Sequence, residues 1–179
     1  MPLKSTLGKR IKECAQLSGE FTLRSGKVSD TYFDKYLFES DPLLLRDICV
    51  EMGKLIPTGT DILAGLEMGG IPVVTVLSQV TGIPCAFLRK EAKAYGTCKY
   101  AEGPDLQNKN IVLVEDVVSS GGAIIDQLVH LERDGVKPTA IVCVIDRQSG
   151  GSENLAEAGY RLESVLRMED IADAVQATV

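Results

Sequence analysis

The sequence predicts an α/β fold, a doubly wound and mainly parallel sheet with helices on both faces and a small N-terminal helix-hairpin unit. Three observations carry this. From Asp61 onward, short apolar runs alternate with helical segments: Ile62 to Leu66, Ile71 to Val80, Cys85 to Leu88, Ile111 to Val114, Ala123 to Arg133 and Ala140 to Ile145. Runs such as Ile111-Val112-Leu113-Val114 and Ile141-Val142-Cys143-Val144-Ile145 show no polar alternation, as suits central strands covered on two sides. Breakers fall between the elements, with Thr81-Gly82 before Ile83-Pro84, Gly135 after Asp134 and Gly159 after Ala158.

The chain begins with a helical pattern, in which Leu7, Ile11, Cys14 and Ala15 recur at three-to-four spacing up to Ser18-Gly19. Phe21 to Arg24, a Ser25-Gly26 turn signal and the β-forming run Val28 to Phe33 read as an antiparallel hairpin. Asp41-Pro42 reads as a cap with proline in the first helical position, opening a helix through Leu44, Ile48 and Met52. No repeat or Pro/Gly/Ser linker divides the sequence. At 179 residues, with 45% hydrophobic and 25% charged, a single domain over 1–179 is expected, its first 40 or so residues forming the N-terminal unit as an appendage.

Composition narrows the function classes. Neither a signal-peptide apolar core nor a run of roughly 18 apolar residues occurs, so a cytoplasmic protein away from the membrane is expected. Five cysteines, an odd number without C-x-x-C pairing, read as reduced thiols; Cys14, Cys49, Cys85 and Cys143 are expected to be buried, while Cys98 lies in a polar segment. A net charge of −6 disfavours nucleic acid as a partner. His130, the only histidine, falls within a predicted helix and reads as partly exposed and structural; no His/Cys cluster suggests zinc. Tyr36, Phe38 and Phe87 read as packing residues.

Open α/β sheets bind ligands at the carboxyl ends of their strands, so the residues after Leu66, Leu88, Val114 and Ile145 should converge. After Val114 comes Glu115-Asp116-Val117-Val118-Ser119-Ser120-Gly121-Gly122-Ala123, and then a helix. Glycines let the backbone turn tightly near a ligand, successive N–H groups at a helix start bind a phosphate, and Ser119 and Ser120 add hydroxyl donors. Neither G-x-x-x-x-G-K-[ST] nor G-x-G-x-x-G is present, which disfavours nucleoside triphosphates and dinucleotides. Two carboxylates beside a phosphate make sense if the ligand also presents hydroxyls, as a ribose diol does. Arg89, Lys90 and Lys93 put three cations into five residues after a strand, in a stretch reaching about Gly103. Beside a phosphate site they suit a lid that neutralises a leaving pyrophosphate.

The run V-L-V-E-D-V-V-S-S-G-G-A resembles the phosphoribosyl pyrophosphate motif of type I phosphoribosyltransferases. With R-K-x-x-K at Arg89 to Lys93, Phe21 to Gly26, Tyr32-Phe33-Asp34 and Asp146-Arg147-Gln148, the chain resembles the orotate phosphoribosyltransferase family in particular, over about Phe21 to Gly151. The resemblance implies a pentosyltransferase that joins orotate to 5-phospho-α-D-ribose 1-diphosphate (PRPP), giving orotidine 5-phosphate and pyrophosphate in UMP synthesis. It implies that Glu115 and Asp116 hold the ribose hydroxyls and that the PRPP site runs through Val117 and Val118 to Ser119, Ser120, Gly121, Gly122 and Ala123, which cradle the 5-phosphate. Arg24, Arg89, Lys90, Lys93 and Tyr95 would meet the diphosphate from a hood over about 1–40 and a lid within about 85–105. Lys90, Lys93 and Asp116 would be the catalytic groups. Tyr32, Phe33, Ser119 and Arg147 would bind orotate, the planar fork of Arg147 suiting its carboxylate.

The same resemblance implies Mg2+ held mainly through PRPP and water, with no direct protein ligand, and a homodimer sharing its lids between active sites. Two positions depart from the family: Tyr95 stands where many members have histidine, and Met68-Gly69 where many have tyrosine-lysine. At Leu66-Glu67-Met68-Gly69-Gly70 backbone N–H groups can still meet pyrophosphate. A transferase for another base and a non-catalytic nucleotide-sensing regulator of the same fold are the alternatives. Arg147 and the hood argue against the first, the basic lid against the second.

Overall fold

The computed structural model describes residues 2–22, 26–91 and 100–173. Helix α1 (Pro2–Ala15) leads into a hairpin of β1 (Gln16–Thr22) and β2 (Val28–Phe33), followed by α2 (Lys35–Ser40) and α3 (Pro42–Gly53). The body continues with β3 (Ile62–Leu66), α4 (Gly70–Thr81), β4 (Cys85–Leu88), β5 (Ala101–Glu102), β6 (Ile111–Val118) and α5 (Gly122–Arg133). It closes with β7 (Ala140–Asp146), α6 (Gly151–Glu157), β8 (Leu162–Arg167) and α7 (Met168–Asp173).

Among the described residues, the main sheet has six strands in the order β5-β4-β3-β6-β7-β8, with only the β4–β5 pairing antiparallel. The winding moves from β3 outward to β4, then returns to place β6 on the other side of β3. That reversal is a topological switch point, and it puts the carboxyl ends of β3 and β6 at the lip of one crevice.

Strand alternation divides the core between the two faces of this sheet. Val112 and Val114 of β6 pack in one cluster with Ile11, Ile48, Met52 and Leu77. Ile111 and Leu113 of the same strand pack in the other with Ile124, Leu128 and Leu155. All five residues of β3 are buried, as an apolar run in a central strand requires.

The N-terminal helix belongs to this body: Leu7, Ile11 and Ala15 are buried in the same cluster as Ile48 of α3 and Ile171 of α7, so the expectation of an appendage is corrected. Their four-residue spacing lines one face of α1 and is satisfied only against a core. The hairpin starts earlier than its β-forming residues suggest, because Leu17 pairs with Tyr32 and Ser18 with Thr31. Ser18-Gly19 therefore lies in a strand, at a register irregularity, rather than at a break.

Helix α2 has no counterpart among the sequence-based elements; at six residues it is too short to show a period, and Asp34 caps it by accepting the Tyr36 N–H at 3.1 Å. Phe38 is fully buried, whereas Tyr36 is 44% exposed and is not a core residue. Cys49 and Cys143 are buried, but Cys14 and Cys85 are only half-buried, being at the sides of the elements that carry them. Cys98 lies outside the described residues. Among the described residues no helix is long and apolar enough to cross a membrane.

Asp41 caps α3 as expected, accepting from the N–H groups of Leu43 and Leu44 at 3.0 Å each. Asp41→Ala is expected to destabilise the fold by about 1 kcal/mol, measured as a lowered denaturation midpoint at unchanged slope.

Candidate active site

The strand carrying the acids runs past Val114. Val117 pairs with Ile145 and Val118 with Asp146, and the Arg147 N–H donates to the Val118 carbonyl at 2.8 Å. The apolar run predicts a strand ending at Val114, because two carboxylates interrupt it. In the structure Glu115 and Asp116 are strand residues whose carboxyl groups lie within reach of one another.

Beyond Val118 the chain turns through Ser119, Ser120 and Gly121 into α5. Gly121 has φ +76°, a conformation that L side chains rarely adopt, and no side chain caps the helix, which leaves its first N–H groups free for an anion. Glu115 and the run from Val117 to Ile124 line a pocket of about 230 Å³ there. Asn154 of α6 holds the turn from behind by donating to the Ser120 carbonyl at 2.9 Å. That support was invisible in the sequence, since only the tertiary fold brings α6 there. A larger concavity of about 570 Å³, lined in part by Lys90, Tyr100, His130 and Arg133, lies at the base of the lid. It includes none of the turn's N–H groups, which line the smaller pocket.

Asp116 is fully buried, and its Oδ2 is 2.5 Å from Nζ of Lys35 on α2. The contact is an ion pair by distance rather than an aligned hydrogen bond. Burial acts to raise the Asp116 carboxyl, but Glu115, Glu39 and Lys35 outweigh it and hold the group below the ordinary range. Burial pushes Glu115 well up, and the neighbouring Asp116 charge adds to that. The two acids are thus pushed in opposite directions, Glu115 up and Asp116 down.

Glu39, one turn beyond Lys35, is also buried; burial first and Asp116 second push it up to about 9. Both its oxygens are shut from solvent without a hydrogen-bond partner, so it approaches Asp116 without closing a bond of ordinary geometry. For Lys35, burial works to lower the ammonium, and the Asp116 carboxylate overrides it and raises it. Neither Lys35 nor Glu39 was anticipated. The cap at Asp34 is the one local signal that could have placed them on a helix.

The other strand ends converge as expected. After β3, the Gly69 backbone lies against Asp116: a Cβ there would fall 1.7 Å from Oδ2. The Glu67–Met68 peptide bond is cis, and Met68 is exposed. After β4, the Lys90 N–H donates to Glu67 Oε2 at 2.8 Å. Arg89 is held through its backbone to Tyr100 and to Gln127 Nε2, and its guanidinium faces Glu102 of β5 at 3.9 Å rather than the phosphate turn. After β7, Arg147 is exposed beside Val118.

On the hairpin, Tyr32 is 44% exposed with its ring centroid 5.4 Å from that of Phe21, while Phe33 turns inward, 6.3 Å from Phe38. His130 is exposed in the last turn of α5, 5.7 Å from the Tyr100 ring. Arg24, Lys93 and Tyr95 lie outside the described residues.

A parallel sheet that reverses between β3 and β6, with acids on the strand that feeds the phosphate turn, places the chain among type I phosphoribosyltransferases, and the phosphoribosyl transferase domain model matches residues 45–167. The chain is 46% identical over 177 residues to the orotate phosphoribosyltransferase of Nocardioides sp. (strain ATCC BAA-499 / JS614), covering 99% of each chain. It is 39% identical over 153 residues to that of Methanocella arvoryzae, covering 86% of this chain and 87% of the relative. The Mycobacterium tuberculosis H37Rv orotate phosphoribosyltransferase, crystallised with Fe(III) dicitrate, is similar with a TM-score of 0.84 at 28% identity, covering 95% of this chain and 99% of that one. The chain belongs to the orotate phosphoribosyltransferase family.

Proposed function

We propose that this chain transfers the 5-phosphoribosyl group of PRPP to orotate, forming orotidine 5-phosphate for UMP synthesis and releasing pyrophosphate. The observation that carries this reading is the order along β6 and its turn: adjacent buried carboxyls at Glu115 and Asp116, the second paired with Lys35, then the uncapped start of α5. A ribose 5-phosphate fits that order, its diol on the acids and its phosphate on the N–H groups of the turn.

In the reaction the bond from ribose C1 to the diphosphate oxygen breaks with its electron pair leaving on pyrophosphate, and a ring nitrogen of orotate forms the new bond to C1. Orotate can supply that nitrogen as its anion, so the chain's task is to position the reactants and stabilise charge. Lys90, Lys93 and Arg89 act on the diphosphate, with Arg24 from the hood and Tyr95 from the lid. Arg147 pairs with the orotate carboxylate, and Tyr32 covers the ring.

Magnesium, bound together with PRPP, would supply charge neutralisation; the Asp116 carboxyl, held below its ordinary range, would accept from the ribose hydroxyls. The working state is a cytoplasmic homodimer whose lids serve sites across the interface.

The test is pyrophosphate release from purified protein with magnesium, PRPP and a panel of bases. Orotate should be used at least about a hundredfold better than uracil, which lacks the carboxylate that pairs with Arg147. Equal use of uracil or a purine would overturn the reading. In the same assay, Arg147→Ala should raise the KM for orotate roughly tenfold or more and leave that for PRPP within about twofold. An equal rise for both substrates would remove Arg147 from the orotate site.

A further inference from the structure

We propose that Lys35 and Glu39, one turn apart on α2, are positioning residues that hold the sugar-binding carboxylate of Asp116, making α2 a physical link between the hairpin and the ribose site. This rests on the reading of Asp116 as an acceptor for the ribose diol. The helix begins immediately after Phe33 and Asp34, so the end of the orotate-side hairpin and the start of the element that grips Asp116 are the same few residues.

Two groups of opposite character come from one short helix to one carboxylate. The ammonium of Lys35 lies 2.5 Å from Asp116 Oδ2 and remains one-third exposed, while the Glu39 carboxyl is shut from solvent with neither oxygen bonded. A buried acid without a partner is costly unless it is neutral or has a use, and beside an ionised acid the protonated form is a hydrogen-bond donor in waiting. The opposite side of the carboxylate is closed by the Gly69 backbone. Asp116 is therefore clamped between α2 and the loop after β3, with its Oδ1 accepting from the Val117 N–H.

The charged and titratable groups around it are Glu115 on β6; Lys35 and Glu39 on α2, with Asp34 and Tyr36 flanking them; and Cys143 and Asp146 on β7. Lys35 is the cation among them. Its removal leaves Asp116 among acids, where the carboxylate is easier to protonate and freer to turn.

The experiment is steady-state kinetics on the full-length enzyme with PRPP and orotate varied separately, alongside melting temperatures. Lys35→Met should raise the KM for PRPP about tenfold with kcat within about threefold, and should move the acidic limb of kcat/KM for PRPP to higher pH. The sign follows because Asp116 works as the anion, and losing its cation lets it protonate sooner as pH falls. Lys35→Arg should recover most of the loss. Glu39→Gln, which keeps a neutral donor of the same shape, should retain most of the PRPP affinity, whereas Glu39→Leu should lose it.

An unchanged PRPP KM and acidic limb in a folded Lys35→Met protein would overturn the proposal, as would equal losses in Lys35→Met and Lys35→Arg. Equal losses in Glu39→Gln and Glu39→Leu would overturn the Glu39 part. Asp116→Asn separates this from the underlying reading: if it leaves PRPP use intact, the diol assignment itself fails, while if it impairs PRPP use and Lys35→Met does not, only the role of α2 fails.

Discussion

Replacing Gly69 with alanine is expected to lower kcat/KM for PRPP by about two orders of magnitude, because the added carbon has nowhere to go except into the sugar-binding acid. The backbone of Gly69 is ordinary, with φ −68° and ψ −30°, so alanine meets no conformational penalty there. The obstacle is steric: the new Cβ would stand 1.7 Å from Asp116 Oδ2, 2.4 Å from its Cγ and 3.0 Å from Lys35 Nζ. Asp116 cannot swing aside into water, since it is fully buried and ion-paired.

Either the carboxylate rotates off the diol, or the loop carrying Glu67 and Met68 backs away. In the second case it pulls on Lys90, whose N–H is tied to Glu67. Both relaxations separate groups that must act on one substrate. Overpacking of this kind costs about 1–3 kcal/mol, which for a chain of this size lowers Tm by several degrees. Thermal unfolding with PRPP-dependent kinetics checks the prediction, and a protein with wild-type Tm and PRPP KM would show that the contact is relieved without consequence.

The legible parts of this fold were those whose local chemistry and tertiary role agree. β3 and β7 are continuous apolar runs because they are covered on both faces, and Asp41-Pro42 announces α3 because capping is a matter of neighbouring residues. Elsewhere function and local pattern conflict. The acids at 115 and 116 look like the end of a strand, since burying two carboxylates in a central strand makes sense only with tertiary partners such as Lys35, which pairs with Asp116.

The candidate site divides in the same way. The phosphate turn could be read from its Gly-Ser composition, but its support from Asn154 and the grip of α2 on Asp116 are long-range contacts with no spacing rule. β5 was also missed, because two residues paired antiparallel to β4 carry no period at all. The guanidinium of Arg89, read as a diphosphate ligand, lies 3.9 Å from Glu102, a partner that exists only because β5 returns beside β4.

Lys93→Ala is expected to reduce kcat by about 10²–10³-fold while the KM values for both substrates stay within about threefold. The asymmetry follows from where charge develops. On the proposed function, ground-state PRPP would already have its 5-phosphate on the turn and its diol on the acids, so affinity would be spread over contacts that do not change during the reaction. The negative charge that grows on departing pyrophosphate is new in the transition state, and a cation that meets it there lowers the barrier without tightening ground-state binding.

In the proposed reaction Arg89, Lys90 and Lys93 would supply that charge in a protein whose net charge is −6, on a segment whose ends are held together by the Arg89 N–H donating to the Tyr100 carbonyl at 2.7 Å. That closure sits beside the Lys90–Glu67 bond, so the lid is rooted next to the loop that contacts Asp116. Rapid-quench single turnovers separate the chemical step from product release. A slower chemical step with unaltered PRPP binding is the expected result; a raised PRPP KM with unchanged single-turnover rate would make Lys93 a ground-state ligand and move the stabilisation of the leaving group to Arg89 and Lys90.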